Sequence, residues 1–220
     1  MTIISQKYTL FLDNSCSNKD LHKILMKTLD TNGLNKNKPR TDANLLFKVD
    51  NIEKTIDNYY KYDMTVQHNE KYNINPFKLQ DKLFVPISPV TEVKIREYDF
   101  VKNNKLITDI SDNEAITRAN IYGYVSAIQS HNKRKKAIPK KFLNDKMLNK
   151  IENLNLDVLE IQCISKPPHL INGKGNFANM IPSCELHATV LGTLENVEKL
   201  LHNGFGRGKN YGLGLIQIEE

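Results

Sequence analysis

The chain has 220 residues, 40% of them apolar and 25% charged, an ordinary balance for a globular protein of one large domain or two small ones. A chain of this length buries a core without disulfide or metal staples, which excludes collagen-like, disulfide-scaffold and wholly disordered classes. The net charge of +6 and a pI near 9.0 point to a polyanionic partner, nucleic acid before membrane surface.

Tyr8 to Leu12 is a β-prone apolar run closed by Asp13-Asn14-Ser15. Ser17 and Asp20 then form an S-x-x-D cap, and Leu21, Ile24, Leu25 and Leu29 recur at helical spacing up to Gly33. The polar, proline-broken stretch Asn35 to Thr41 reads as a loop. Ala43 to Val49 reads as a strand, Asn51 to Tyr60 as a helix and Tyr62 to Gln67 as a third strand. A polar, Asn-rich stretch to Lys78 marks the expected domain boundary, giving domains 1–78 and 79–220.

The pattern restarts at Lys82 to Val90, with a further extended piece at Thr91 to Ile95. Ser111 and Glu114 form a second capping box, and Ile121, Tyr124, Val125 and Ile128 predict a helical apolar stripe behind it. His131 to Lys146 is a strongly basic segment. Val158 to Ser165 and Cys184 to Leu191 read as strands joined by a long connection. Thr193 caps a last helix with Leu194, Val197, Leu200 and Leu201 on one face, Gly204 ends it, and Leu213 to Ile218 closes the chain as a strand. The first half thus reads roughly as β-α-β-(α)-β and the second as β-α-β-β-α-β, and an α+β fold of two tandem ferredoxin-like units is expected.

No disulfide framework follows from Cys16, Cys163 and Cys184. The Cys184-x-x-His187 spacing falls in a strand, where residues three apart face opposite sides, so no metal site is assigned to it. No apolar run is long enough to span a bilayer, and the N-terminus has no basic-then-apolar signal pattern, so a cytoplasmic protein without membrane partner is expected. No cofactor is expected.

The densest signal is Gly204-Phe-Gly-Arg-Gly-Lys-Asn-Tyr-Gly-Leu-Gly214. A phosphate-binding P-loop needs Ser or Thr after its Lys, a strand before and a helix after. Here Asn210 follows Lys209, a helix precedes and a strand follows. A dinucleotide fingerprint must open a helix, and this run opens the last strand. What remains is a glycine turn whose backbone can approach a phosphate, with Arg207 and Lys209 adding charge. Gly204, Gly206, Arg207, Gly208 and Lys209 are therefore candidate phosphate-binding residues.

The run GFGRGKNYGLGLI resembles the C-terminal signature of the RAMP superfamily, and most of all the CRISPR repeat-processing endoribonucleases of type I-E Cascade (the CasE family). That family ends close to G-I-G-R-[GA]-K-x-[FY]-G-C-G-L-L, and here Leu213 stands at its Cys. Looser similarity covers His22-Lys-Ile-Leu25, Ala43 to Val49, Phe84 to Val90 and Leu191-Gly-Thr.

The resemblance implies a metal-independent ribonuclease. It would bind the hairpin of CRISPR repeat RNA, cut at the base of the stem to leave a 2′,3′-cyclic phosphate and a 5′-OH, and stay bound among Cascade subunits. It implies His22 as the catalytic histidine, and Gly204, Gly206, Arg207, Gly208 and Lys209 as RNA-binding residues. Lys19 stands where many members carry a tyrosine, and Lys19 and Lys27 are the candidate partners on the same helix. Read without the family, His22 lies about one turn from the Ser17 cap with Lys19 on its face, a setting that favours the neutral imidazole a general base needs. Lys133, Arg134, Lys135, Lys136, Lys140, Lys141 and Lys174 are candidate phosphate-tracking cations. The alternative is a catalytically inactive RAMP subunit that only binds RNA.

Overall fold

The computed structural model describes residues 2–30, 42–79, 82–95, 100–102, 105–106, 116–131, 134–171 and 180–219. Two compact units divide them. The first holds Met1–Val93, Leu170–Met180 and Lys209–Leu213; the second holds Lys94–His169, Ile181–Gly208 and Gly214–Glu220.

The first unit begins with β1 (Ile3–Leu12) and α1 (Asn18–Thr28). Tyr8, Leu10 and Leu12 alternate inward along β1, and Leu21 and Leu25 present the matching stripe of α1. The expected cap is in place: the Ser17 side chain accepts from the Asp20 N–H, an interaction worth about 1 kcal/mol. The helix stops at Leu29, before the predicted Gly33.

A hairpin follows, β2 (Leu46–Lys54) and β3 (Tyr60–Asn69). The helix expected over Asn51 to Tyr60 is not formed. β2 runs through this stretch past an irregularity between Val49 and Asn51, and it pairs with β3 down to Lys54 opposite Tyr60. Asn58 turns the chain at φ +64, with the Thr55 carbonyl accepting from its N–H. Cross-strand pairing has overridden local helix preference. Tyr62, Met64 and Val66 of β3 are buried against the α1 side chains.

β4 (Phe77–Leu79) and β5 (Lys82–Pro86) complete this sheet, with β6 (Thr91–Glu92) paired to β1. The strand order is β2-β3-β1-β5-β4. Lys82 to Pro86 was expected to open the second repeat; it instead pairs antiparallel with β1, Tyr8 opposite Pro86. Phe84 explains the placement, because its buried ring stacks on Tyr8 at 4.7 Å. With β5 as fourth strand, the order 4-1-3-2 is that of a ferredoxin-like sheet.

The second unit opens with β7 (Phe100–Lys102) and β8 (Lys105–Leu106), which lead to β9 (Ile116–Ser126). A helix was predicted across β9, and this is the largest error in the sequence reading. Thr117, Ala119, Ile121 and Val125 are buried, a period of two. The Ser111–Glu114 box lies outside the described residues. β10 (Ile128–His131) and β11 (Arg134–Ala137) form a separate hairpin, followed by a 3₁₀ turn at Lys140–Phe142 and α2 (Leu143–Glu152). α2 was hidden within the basic segment, yet Leu143, Met147 and Ile151 are all buried at i, i+4 and i+8.

β12 (Asp157–Leu170), β13 (Met180–Gly192), α3 (Leu194–Asn203) and β14 (Ile216–Ile218) finish the chain. Thr193 caps α3 and Gly204 terminates it at φ +67, both as expected. β12-β13-β9 are neighbours and β14 pairs with the other side of β9. The run β9-α2-β12-β13-α3-β14 is thus a second ferredoxin-like unit with the same 4-1-3-2 order. No described helix is long and apolar enough to cross a membrane.

Candidate active site

His22 stands beside the buried stripe of α1, with its ring half-buried and Nε2 shielded from solvent. Its imidazole lies against the Phe47 ring of β2, centroids 6.3 Å apart and planes inclined by 29°. Lys19, Lys23 and Lys27 are exposed on the same helix. The carboxylate nearest to them in sequence is already engaged. Asp20 accepts from the Ser17 hydroxyl at 2.6 Å and from Lys23 at 3.4 Å, contacts that hold its pKa below the usual carboxylate range.

The tail of the glycine loop belongs to the first unit. Its 3₁₀ turn, Lys209–Tyr211, packs on α1 and on β2. Gly212 follows at φ +79, and a Cβ there would stand 3.2 Å from Phe47 Cε2. A side chain at that position is therefore strained twice, by backbone conformation and by the aromatic ring. The helix bearing His22, the Phe47 ring and the turn bearing the half-buried Lys209 accordingly form one locality.

The head of the loop belongs to the second unit. Phe205 is buried, and its N–H donates to the Gly214 carbonyl at 2.8 Å. The Gly214 N–H donates in turn to the Tyr124 carbonyl of β9. Arg207 is exposed, and its backbone N–H donates to Ser126 Oγ at 2.9 Å. Gly204, Gly206, Gly208, Gly212 and Gly214 all have φ between +67 and +85, so the glycine density follows from backbone conformation.

Of the other candidate cations, Lys136, Lys140 and Lys141 are exposed on β11 and the 3₁₀ turn of the second unit. Lys141 Nζ lies 4.8 Å over the ring of the exposed Phe142. Arg134 and Lys135 place their backbones in β11, and Lys133 and Lys174 lie outside the described residues. The helix that carries His22 and the turn that carries Lys209 pack on each other within the first unit; Arg207, Lys136, Lys140 and Lys141 belong to the second. Cys184 is fully buried while His187 is half-buried and bonded to Glu219 and Glu185, so the C-x-x-H pair is no ligand set.

Sequence reasoning missed Phe47 and Ser126. Phe47 was legible only as a strand apolar residue, and Ser126 only as part of a misassigned helix. Their roles, a wall beside the imidazole and an anchor for the loop, depend on contacts distant in the chain.

No protein-family model matches the sequence, and no curated protein matches it. The fold does have solved counterparts. The CRISPR endoribonuclease Cse3 bound to a 19-nucleotide RNA superposes with a TM-score of 0.65 over 100% of both chains at 12% identity. The CRISPR-associated protein Cas6e from Escherichia coli K-12 gives 0.62 over 98% of both chains at 14% identity. Thermus thermophilus Cse3 bound to RNA as a pre-cleavage complex gives 0.59 over 98% of this chain and 100% of that one, at 11% identity. At these identities the common property is the architecture, an α+β chain of two tandem ferredoxin-like units.

Proposed function

We propose that this chain is a CRISPR repeat-processing endoribonuclease of the CasE type, in which His22 handles the proton and the glycine loop and basic segments hold the RNA. The observation that carries this reading is the convergence of the His22 helix with the Lys209 end of the glycine loop. The tandem fold and the loop signature support it independently. A solved structure of similar fold is named a CRISPR endoribonuclease and another a CRISPR-associated protein, and both support the reading.

The reaction is a transesterification. His22 removes the proton from the ribose 2′-OH, and that oxygen attacks the adjacent phosphorus. The bond to the 5′-oxygen breaks, and a proton passes to that oxygen. A 2′,3′-cyclic phosphate and a 5′-OH result. A base, an acid and charge to stabilise the phosphorane are sufficient, so no metal step is required. Lys19 takes the place of the family tyrosine and, with Lys209, supplies cationic charge on the developing dianion. Exposed Lys136, Lys140 and Lys141, with Lys133, Arg134, Lys135 and Lys174, would track phosphates of the stem, since RNA helices are read by shape and backbone. The product hairpin would stay bound, as a subunit of a Cascade assembly in the cytoplasm would require.

The shielding of Nε2 from solvent favours a second reading, an RNA-binding subunit without cleavage. Labelled repeat hairpin separates the two. Cleavage that persists in excess chelator and stops with a 2′-deoxy sugar before the cut supports the endonuclease. Tight binding with no cleavage supports the silent subunit, and neither binding nor cleavage removes both.

A further inference from the structure

The second sheet carries a cavity that the reaction above does not use. It measures about 420 Å³ and lies on strands β9, β12 and β13, with Glu219 beyond β14. That volume is in the range of small-ligand sites, about 300–1,000 Å³. Asn120 and Arg118 line it from β9, on alternate positions to the buried Thr117, Ala119 and Ile121. The cavity therefore opens on the face of the sheet away from that core.

Its polar groups divide into committed and uncommitted ones. His187 is committed: Nδ1 lies 2.7 Å from Glu219 Oε1 and Nε2 lies 3.2 Å from Glu185 Oε1. Its ring also rests on Tyr122, centroids 4.9 Å apart, and Tyr122 meets Tyr124 edge-on at 5.7 Å. The Thr189 hydroxyl donates to Asn120 Oδ1 at 2.9 Å, which leaves the Asn120 amide nitrogen as the outward donor. Among the described residues, no hydrogen bond or ion pair engages the side chain of Arg118 or of Glu160. A five-donor fork and an acceptor-only carboxylate thus line one cavity, beside a fixed aromatic ring.

This donor set fits a base better than a phosphate. Glu160 and Glu219 line the site and Glu185 stands behind His187, so a polyanionic backbone is disfavoured there. Among nucleobases, guanine alone offers two adjacent N–H donors to the two oxygens of a carboxylate. Its O6 and N7 acceptors match an arginine fork. We infer that this cavity is a guanine subsite, with Glu160 reading the N1–H and N2–H edge, Arg118 or Asn120 the O6 edge, and His187 a ring for stacking. The base could come from an unpaired stretch of the RNA proposed above or from a free guanine nucleotide. The inference deepens the RNA-processing reading in the first case and is independent of it in the second.

Isothermal titration of the full chain with guanosine, adenosine, cytidine and uridine tests it. Guanosine should bind saturably, and the other three about 10-fold or more weakly, the discrimination expected of one bidentate pair. Glu160→Gln places a donor where an acceptor is needed, so the guanosine preference should fall about 10-fold with the circular dichroism spectrum unchanged. Arg118→Lys keeps charge but loses the fork, and should also reduce the preference. Competition distinguishes the sources: guanosine displaced by a hairpin with an unpaired guanosine flank, and not by an adenosine flank, identifies RNA, whereas displacement by GMP alone identifies the free nucleotide. Absence of binding by all four nucleosides, equal binding of all four, or an unchanged preference in Glu160→Gln overturns the subsite. Hairpin cleavage by the same preparation without guanosine binding would remove only this inference. Guanosine binding without hairpin binding would remove only the processing function.

Discussion

His22 lies on α1 among exposed lysines with its ring against Phe47, whereas His187 lies on β13 with a carboxylate oxygen at each ring nitrogen. The two residues are chemically identical and their surroundings make them opposites. A ring tied to Glu219 and Glu185 has both nitrogens occupied, so proton transfer there must first break a hydrogen bond. The His22 ring has exposed lysines on its own helix and the cationic loop tail packed on that helix, the setting in which the proposed proton transfer would take place. Histidine position in the sequence does not separate these roles; the neighbours do.

The strongest way to break this comparison is to exchange the two histidines' fates by mutation. His22→Ala should lower hairpin cleavage by about 10²–10⁴ while binding persists, and His187→Ala should keep the cleavage step at saturating RNA, any loss falling on affinity. Equal loss in both variants, read as single-turnover rates, would abolish the distinction. Lys19→Ala should slow cleavage by a smaller factor, because charge on the phosphorane is shared with Lys209.

Next in size is the loop that brings Lys209 to the His22 helix. Gly212→Val demands a positive φ of a β-branched residue and presses on Phe47, a cost of about 1–3 kcal/mol from the backbone alone. Cleavage should fall more than in Gly206→Val. There the nearest contact is only Ser126 Oγ, at 3.2 Å, although φ is equally positive. Thermal melts of both variants separate site damage from unfolding.

Removing Lys136, Lys140 and Lys141 together should act differently again. Binding to any RNA should weaken, and the slope of log affinity against log salt should shrink by about 0.7 to 0.9 for each phosphate no longer neutralised. A fall in cleavage at constant slope would show that these cations do not track phosphates.

His68 supplies the smallest effect and a third environment. It is 3% exposed, and burial pushes its pKa below the ordinary 6.5, against a partly opposing hydrogen bond to the Asn69 carbonyl. The unfolded chain therefore takes up a proton as pH falls through 6.5 while the folded chain resists it, so stability should decline below that pH. Urea midpoints on either side of 6.5 should show the decline, and His68→Gln should flatten it.

Local chemistry was legible in the sequence where it is decided locally. The Ser17 and Thr193 caps, the Gly204 stop and the apolar stripes of α1 and α3 were all read correctly, because each depends on residues within one or two turns. β9 was not. Ile121, Tyr124, Val125 and Ile128 fit a helical spacing as well as a strand, and only pairing with β13 and β14, far along the chain, decides between them. β5 failed for the same reason, since its partner is β1. The candidate site was half legible. His22 and the glycine loop could each be singled out, the histidine mainly through family resemblance, but their meeting beside Phe47 is a property of the fold. The cavity at Arg118 and Glu160 left no sequence signal, because its lining residues come from separate strands and form no motif.

The neck of the glycine loop has an engineering consequence. Phe205 N–H donates to the Gly214 carbonyl and Gly214 N–H to Tyr124, so the segment between them is a ring closed at its neck, with Arg207 N–H to Ser126 Oγ as a second tie to β9. Material spliced into that ring leaves the strand register untouched. Doubling its length adds only about 0.6 kcal/mol of closure entropy. The neck is thus a graft junction, across which loops of other lengths can be exchanged while β9 and β14 stay paired.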